Sequence, residues 1–434
     1  FRLSREGTRR IGGWGEPMLL LPRLLKRFVR QGRLTVITPD GKRHVFGPGP
    51  AELPFAGVIK TAPAVTVRFH DDRVERELFL NPELALAEGY MDGRIDFEEG
   101  TIHDLLTLFW LQRREMRKDP LQQAIRKVRF KIRRWRMHNP LGVAGKKVKH
   151  HYDIPTDFYR LWLDETMTYS CAYWHSPDVG LEAAQKAKLR HLAAKLKIEP
   201  GMSVLDIGSG WGELAIYLAK ACGAKMTGLN VSPDQMAAAQ KRAEAAGVGD
   251  AVTFINKDYR ELGGKFDRVV SVGMMEHVGV AHYGEYFGGI RDLLTPDGIA
   301  LVHCIGRVGP PGFTGPFFDK YIFPGGYAPA LSEVFAAQEQ TGLWASDCEF
   351  WRRHYHWTLE AWRERFMAKR DEVVAMMGER FARMWEFYLC ACSISFDIGG
   401  DMVFQLLLGQ HKSAVPVIRD YIADDEKVLE AKGF

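Results

Sequence analysis

The chain has 434 residues, 46% of them hydrophobic and 26% charged, with a formal net charge of +5. That length exceeds one ordinary core, so two globular domains are expected, and no run of about 18 apolar residues offers a membrane-spanning helix. Six cysteines without a CxxC pair, and no Cys/His cluster at ligand spacing, argue against a disulfide framework and against a metal site.

The opening FRLSREGTRR lacks an initiator methionine and the apolar core of a signal peptide, which gives the expectation of a cytoplasmic protein. Residues 1–118 read as a small mixed α+β domain. RLTVITPDGKRHVF alternates around Pro39-Asp40-Gly41 and is predicted to be a β-hairpin. VTVRFH and VERELFL read as further short strands. NPELALAEGYMDG and TIHDLLTLFWLQRR read as helices, the first with Asn81 as cap and Pro82 in its first turn.

Charge is unevenly spread. Residues 113–149 hold fourteen Lys and Arg against Glu115 and Asp119, a local +12 that leaves −7 for the remainder. Within 119–150, Leu121, Ile125, Val128, Ile132 and Trp135 recur at helical spacing, predicting a basic amphipathic helix over 121–137 and then a Pro/Gly-containing linker. Its cationic face suits an anionic bilayer surface, with Phe130 and Trp135 at the interface. The same stripe can dock on its own domain, and nucleic acid is the rival partner for the charge.

From about residue 180 strands and helices alternate. MSVLDIG, KMTGLN, AVTFIN, FDRVVSVG and GIALVHCIG read as strands, separated by helices 211–222, 232–246 and 282–294. Later strands near 344–351 and 401–409, around helices of 357–398, would complete a seven-stranded α/β sheet covered on both faces.

VLDIGSGWGELA runs a strand into Asp206 and then Gly208, Gly210 and Gly212, glycines that let backbone approach a ligand at the sheet edge. Dinucleotide loops share that logic. Asp206 before the glycines can counter a cationic ligand, and the Lys and Ser/Thr of a phosphate-gripping loop are missing. The motif therefore resembles the first motif of class I S-adenosylmethionine-dependent methyltransferases, implying a Rossmann-like fold. Asn230, Val231 and Gln235 then stand where the ribose hydroxyls would be met; Asp258 could accept from the adenine amino group and Tyr259 stack on its ring.

After the fourth strand the Asp/Asn-Pro-Pro-aromatic clamp of nucleic-acid amino-methyltransferases is absent, and nucleic acid is not the expected partner. VVSVGMMEHVG stands there instead, with Glu276 beyond the strand end; His303 reaches the same edge on the next strand. YSCAYW, VLDIGSGWG, VGMMEHVG, LVHCIG, KYIFPGG and HYHWTLEAW, in that order, resemble the cyclopropane-fatty-acyl-phospholipid synthases and the related mycolic acid cyclopropane synthases. The likeness covers 151–434, and the first 110 or so residues resemble the N-terminal domain of the phospholipid-modifying branch.

The resemblance implies methylene transfer from S-adenosylmethionine to the cis double bond of phospholipid acyl chains, through a carbocation deprotonated by bound bicarbonate. It implies that Cys171, Glu276, His303, Tyr355 and the Ile305 carbonyl hold the bicarbonate, with a backbone contact from Gly273, and that Tyr169 and Ser170 touch the cofactor. Family usage also marks Cys392, for which a small buried residue on a helix is an equal reading. CEFWRRHYHWTL departs from the better-known members in its Arg352-Arg353 pair. Residues 306–330, with six glycines, five prolines and six aromatics, read as a lid and acyl-channel wall. A homodimer is implied by the resemblance alone, and C-methylation to branched or methylene products is the nearest alternative reaction.

Overall fold

The computed structural model describes residues 20–54, 57–116, 123–124, 127–128, 130–132 and 154–434. Residues 20–52 and 61–115 form one compact unit, and the other described residues a second. No described helix is long and apolar enough to cross a membrane. Most of the 121–137 stripe, including Leu121, Ile125 and Trp135, lies outside the described residues; 123–124, 127–128 and 130–132 are helical.

In the first unit, β1 (Gly32–Ile37) and β2 (Arg43–Gly49) pair antiparallel around the expected turn, where Thr38 N–H donates to the Lys42 carbonyl at 3.0 Å. The sheet continues through β5 (Ala64–Phe69), parallel to β1, to β6 (Ile95–Glu99), with β3 (Ala51–Glu52) and β4 (Thr61–Ala62) forming a separate small pair. Helix Ile102–Leu111 starts at a capping box between Thr101 and Asp104. One expectation is overturned: VERELFL is a helix, Arg73–Leu80, not a strand. Asp71 Oδ1 accepts from the Arg73 N–H at 2.8 Å, which closes the first turn, and Glu, Arg and Leu then favour its continuation.

The second unit is built on seven strands: β7 (Ser203–Ile207), β8 (Lys225–Leu229), β9 (Val252–Ile255), β10 (Phe266–Val272), β11 (Leu294–Arg307), β12 (Trp344–Trp351) and β13 (Asp401–Gly409). Their order is β12-β13-β11-β10-β7-β8-β9. β11, β10, β7, β8 and β9 are parallel neighbours in that order, and β13 runs antiparallel between β11 and β12. Alternate residues serve opposite faces: Val204, Val270 and Leu301 pack with Leu192, Leu196 and Leu218, whereas Leu205, Val269 and Ala300 pack with Tyr286, Phe287 and Ile290. Burial on both faces explains why these strands read as continuous apolar runs. It also leaves one free edge, the carboxyl ends of the parallel strands, for chemistry.

Candidate active site

At that edge Gly208, Gly210 and Gly212 all have positive φ (93°, 53° and 83°). At Gly212 a Cβ would lie 2.6 Å from Phe254 and 2.9 Å from Ala239, so the turn into helix Glu213–Cys222 has no room for a side chain. Asn230 fastens this loop, giving its amide hydrogens to the Gly210 carbonyl (2.8 Å) and Gln235 Oε1 (3.2 Å). Both donors expected to face ribose are thus used within the protein, and only its oxygen, which accepts from Ser232 N–H, remains for a ligand.

One cleft gathers Asp206, Gly208 and Gly210 with Asn230, Val231 and Gln235, then Asp258 and Tyr259 on the far side. Gly212 shapes the loop without lining the cleft. Asp258 is less available than the sequence implies, because Arg260 engages both its oxygens at 2.9 and 2.8 Å. An adenine amino group would share an oxygen with that guanidinium. Asp206 is buried, and burial pushes its carboxyl up to about 7 against the pull of Lys188.

Lys188 is a site residue that sequence reading missed. It lies on helix Leu181–Leu196, lines the cleft and is fully buried; its Nζ donates to Ser170 Oγ at 3.0 Å. Burial lowers it to about 8, opposed by Asp164, Cys171, Glu213 and Asp206. Three residues earlier on the same face, Gln185 Nε2 donates to the Ser170 carbonyl at 3.0 Å. Together they pin TYSCAYW so that Tyr169 and Ser170 line the cleft. Nothing in the sequence separates this lysine from the surface lysines around it.

Glu276 sits just beyond β10, between the cleft-lining residues Met274 and His277 in sequence, without itself lining the cleft. Its Oε1 accepts from the Ile305 N–H at 2.7 Å, and its buried Oε2 has no hydrogen-bond partner. Burial pushes the carboxyl up to about 7, while the hydrogen bond from Ile305 N–H pulls it down; the neighbouring Cys304 thiol donates to the Ile305 carbonyl at 3.1 Å. Cys304, another residue missed, stands beside Glu276, whereas His303 points from the opposite face of β11 toward Gln405, 3.0 Å away. The Gly273 N–H is committed to the His303 carbonyl at 2.9 Å.

Cys171 is buried, its thiol facing the Ala172 carbonyl at 3.4 Å, and burial pushes the thiol well above its usual range. The next residue, Ala172, donates its N–H to Thr358 Oγ1 at 3.1 Å, which ties TYSCAYW to the helix His354–Ala368 that carries Tyr355. Tyr355 packs its ring on Phe396 at 4.7 Å. The Tyr169 and Tyr388 hydroxyls are 2.8 Å apart, and Tyr388 in turn feels Cys392 and Tyr355. Cys392 is partly buried and its thiol is pushed well up by burial. Of segment 306–330, Phe317 is packed on Phe387, while Phe323 stands between His277 and Tyr388 at 6.0 and 5.9 Å. Phe317 is thus core, while Phe323 packs on the cleft residue His277.

The strand order, the glycine loop and the cleft beyond it define a class I S-adenosylmethionine-dependent methyltransferase. Residues 142–406 match the family model described as mycolic acid cyclopropane synthetase, and the chain belongs to that family. Residues 23–119 match a model described as a domain of unknown function. The chain is 41% identical over 262 residues to the cyclopropane-fatty-acyl-phospholipid synthase of Escherichia coli (strain K12), covering 60% of this chain and 67% of that one. It is 34% identical over 361 residues to the tuberculostearic acid methyltransferase UfaA1 of Mycobacterium tuberculosis, covering 78% and 81%. The solved cyclopropane synthase MmaA2 from Mycobacterium tuberculosis superposes with a TM-score of 0.60 at 31% identity, over 62% of this chain and all of that one.

Proposed function

We propose that this protein transfers a methylene unit from S-adenosylmethionine to the cis double bond of unsaturated acyl chains in membrane phospholipids, giving cyclopropane fatty acids. The observation that carries this reading is Glu276, a buried carboxyl with one oxygen held and the other unpartnered, on the short turn whose Met274 and His277 line the cofactor cleft. Such a group serves a reaction in which a proton leaves beside the transferred methyl.

The alkene π electrons form the new C–C bond to the sulfonium methyl while the C–S bond breaks, releasing S-adenosylhomocysteine. The other alkene carbon becomes cationic, and loss of a proton from the new methyl lets its C–H electrons close the ring. Around that cation, Tyr169, Tyr388 and Phe323 present rings that exclude water and tolerate positive charge. Thiols kept protonated offer no competing nucleophile.

The chemistry of the donor set suits a small oxyanion such as bicarbonate: an orphaned carboxyl oxygen, neutral thiols and a phenol, with the buried imidazole of His303 on the other face of β11. When bound, bicarbonate supplies the base for the methyl proton. In this reading Glu276 accepts, Cys171, His303 and Tyr355 donate and orient, and the Ile305 carbonyl completes the nest. Cys392 is a neighbour of Tyr388 and takes no direct part. The test is incubation with S-adenosylmethionine, bicarbonate and liposomes of unsaturated phospholipid, followed by mass spectrometry of the released acyl chains. A gain of one methylene unit with loss of the double bond is expected; an unchanged acyl pool with cofactor-loaded protein overturns the reading.

Residues 1–118 are assigned to lipid association, 119–150 to the basic linker, 151–434 to catalysis and 306–330 to the channel lid. Peripheral attachment to an anionic bilayer rests on the 113–149 charge and on Val128, Phe130 and Ile132, which are 60%, 41% and 41% exposed. A homodimer is part of the same proposal. One observation favours a second reaction: the longest of the alignments above is to a protein named as a tuberculostearic acid methyltransferase. In that reading the cation ends as a branched or methylene chain.

A further inference from the structure

Three neighbouring strands carry a polar row across the sheet. His303 on β11 is in register with Gln405 on β13, and Gln405 with Glu349 on β12. His191 and Lys195, four apart on helix Leu181–Leu196, close over that row. His303, Gln405, Lys195 and His191 are each 3% exposed or less.

The row has a direction, and each step follows from which groups can only donate. Glu349 accepts from Lys195 Nζ, from His191 Nε2 at 2.8 Å and from Arg419 at 3.3 Å, while His191 Nδ1 meets Glu426 at 2.9 Å. Lys195 Nζ also lies 2.7 Å from Gln405 Oε1. An ammonium cannot accept, so this end of the amide is its oxygen and the flipped orientation is excluded. The Gln405 NH2 group is therefore the end 3.0 Å from His303 Nδ1. A neutral imidazole has one N–H, and Nδ1 facing a donor must be the lone-pair nitrogen.

We propose that Gln405, oriented by Lys195, is a positioning residue that fixes His303 as the tautomer protonated on Nε2. His303 thus carries a single N–H, on Nε2, suited to orienting an oxyanion and unsuited to taking its proton. The role toward the anion rests on the proposed function; the tautomer does not. Neither glutamine nor lysine touches substrate or cofactor, and both act through His303. Val or Leu would fit a buried sheet position better than glutamine, and the amide at Gln405 is accounted for by the two partners it links.

The experiment is ¹⁵N NMR of the full chain with ¹⁵N-labelled histidine, His303 being assigned by difference from His303→Gln. Wild type, without cofactor or bicarbonate, is expected to show a protonated Nε2 and an unprotonated Nδ1. Gln405→Glu replaces the donor by an acceptor and is expected to move a proton onto Nδ1; Lys195→Met frees the amide to turn and is expected to give mixed tautomers. An Nδ1–H tautomer in wild type overturns the proposal, as does an unchanged His303 pattern in folded Gln405→Glu. In turnover with liposomes, Gln405→Glu is expected to raise the bicarbonate concentration giving half-maximal rate by roughly tenfold or more, the scale seen when a group that orients a metal-binding histidine is lost. Should the tautomer be as stated and no cyclopropane form, the proposed function fails and the assignment of Gln405 stands.

Discussion

Lys188 and Ser170 are joined by a 3.0 Å hydrogen bond from a fully buried ammonium to a hydroxyl on the cofactor cleft. The contact places a cation beside Asp206 and fixes the strand of backbone that carries both Tyr169 and Cys171. Helix Leu181–Leu196 therefore makes two sets of buried contacts: Gln185 and Lys188 hold the cleft segment, and Lys195, about two turns further on, orients the His303 partner.

Replacement of Lys188 by methionine keeps its volume and removes the charge. Ser170 then loses its donor, and Asp206 the cation that opposes its desolvation. Affinity for S-adenosylmethionine, measured by calorimetry, is expected to fall about tenfold, roughly 1.4 kcal/mol. Unchanged affinity in a folded variant would remove Lys188 from the cofactor site.

Glu276→Gln is expected to lower turnover by about 10²- to 10⁴-fold while cofactor binding stays near wild type. The wild-type rate at saturating bicarbonate should rise with pH through about 7, where Glu276 ionises, and the variant should lack that limb. Stability carries the opposite sign. The folded carboxyl, at about 7, holds its proton more tightly than the unfolded one at 4.5, so this contribution is complete below 4.5 and lost as pH rises through about 7. Denaturant titration across that window should show wild type losing stability relative to Glu276→Gln; parallel curves would mean Glu276 is ionised throughout.

Cys171 should resist iodoacetamide in the native protein at about pH 8, and react on unfolding, because its thiol is buried and protonated. Cys171→Ser should retain cofactor binding and lose no more than about tenfold in rate, the loss of one orienting hydrogen bond at about 1.4 kcal/mol. Rapid native alkylation, or a covalent adduct at Cys171 during turnover, would restore a nucleophilic role.

Local pattern made the catalytic sheet legible: apolar runs in MSVLDIG, FDRVVSVG and GIALVHCIG are the signature of strands buried on both faces, and each begins or ends within a few residues of its expected place. The glycine loop was legible for the same reason, since positive φ at Gly208 and Gly212 leaves few other choices. VERELFL misled because alternate apolar and charged residues over a short span satisfy both periods; the deciding contact, Asp71 on the Arg73 N–H, lies just before it. Lys188 and Gln405 were not legible at all. The partner that orients Gln405 is 210 residues away in sequence, and a lysine or glutamine in a helix or strand pattern carries no mark of burial. Motif resemblance pointed to His303 and Ile305 and passed over Cys304, whose side chain reaches Glu276 because neighbouring strand residues face opposite ways.

Ring closure by loss of a proton from the transferred methyl can be followed with S-adenosylmethionine carrying a trideuteromethyl group. With liposomes of monounsaturated phospholipid, the account predicts product acyl chains that have lost the double bond and one deuteron, with the other two on a single ring carbon by NMR. A product that retains the intact trideuteromethyl group, or one that still carries a carbon–carbon double bond, would contradict it.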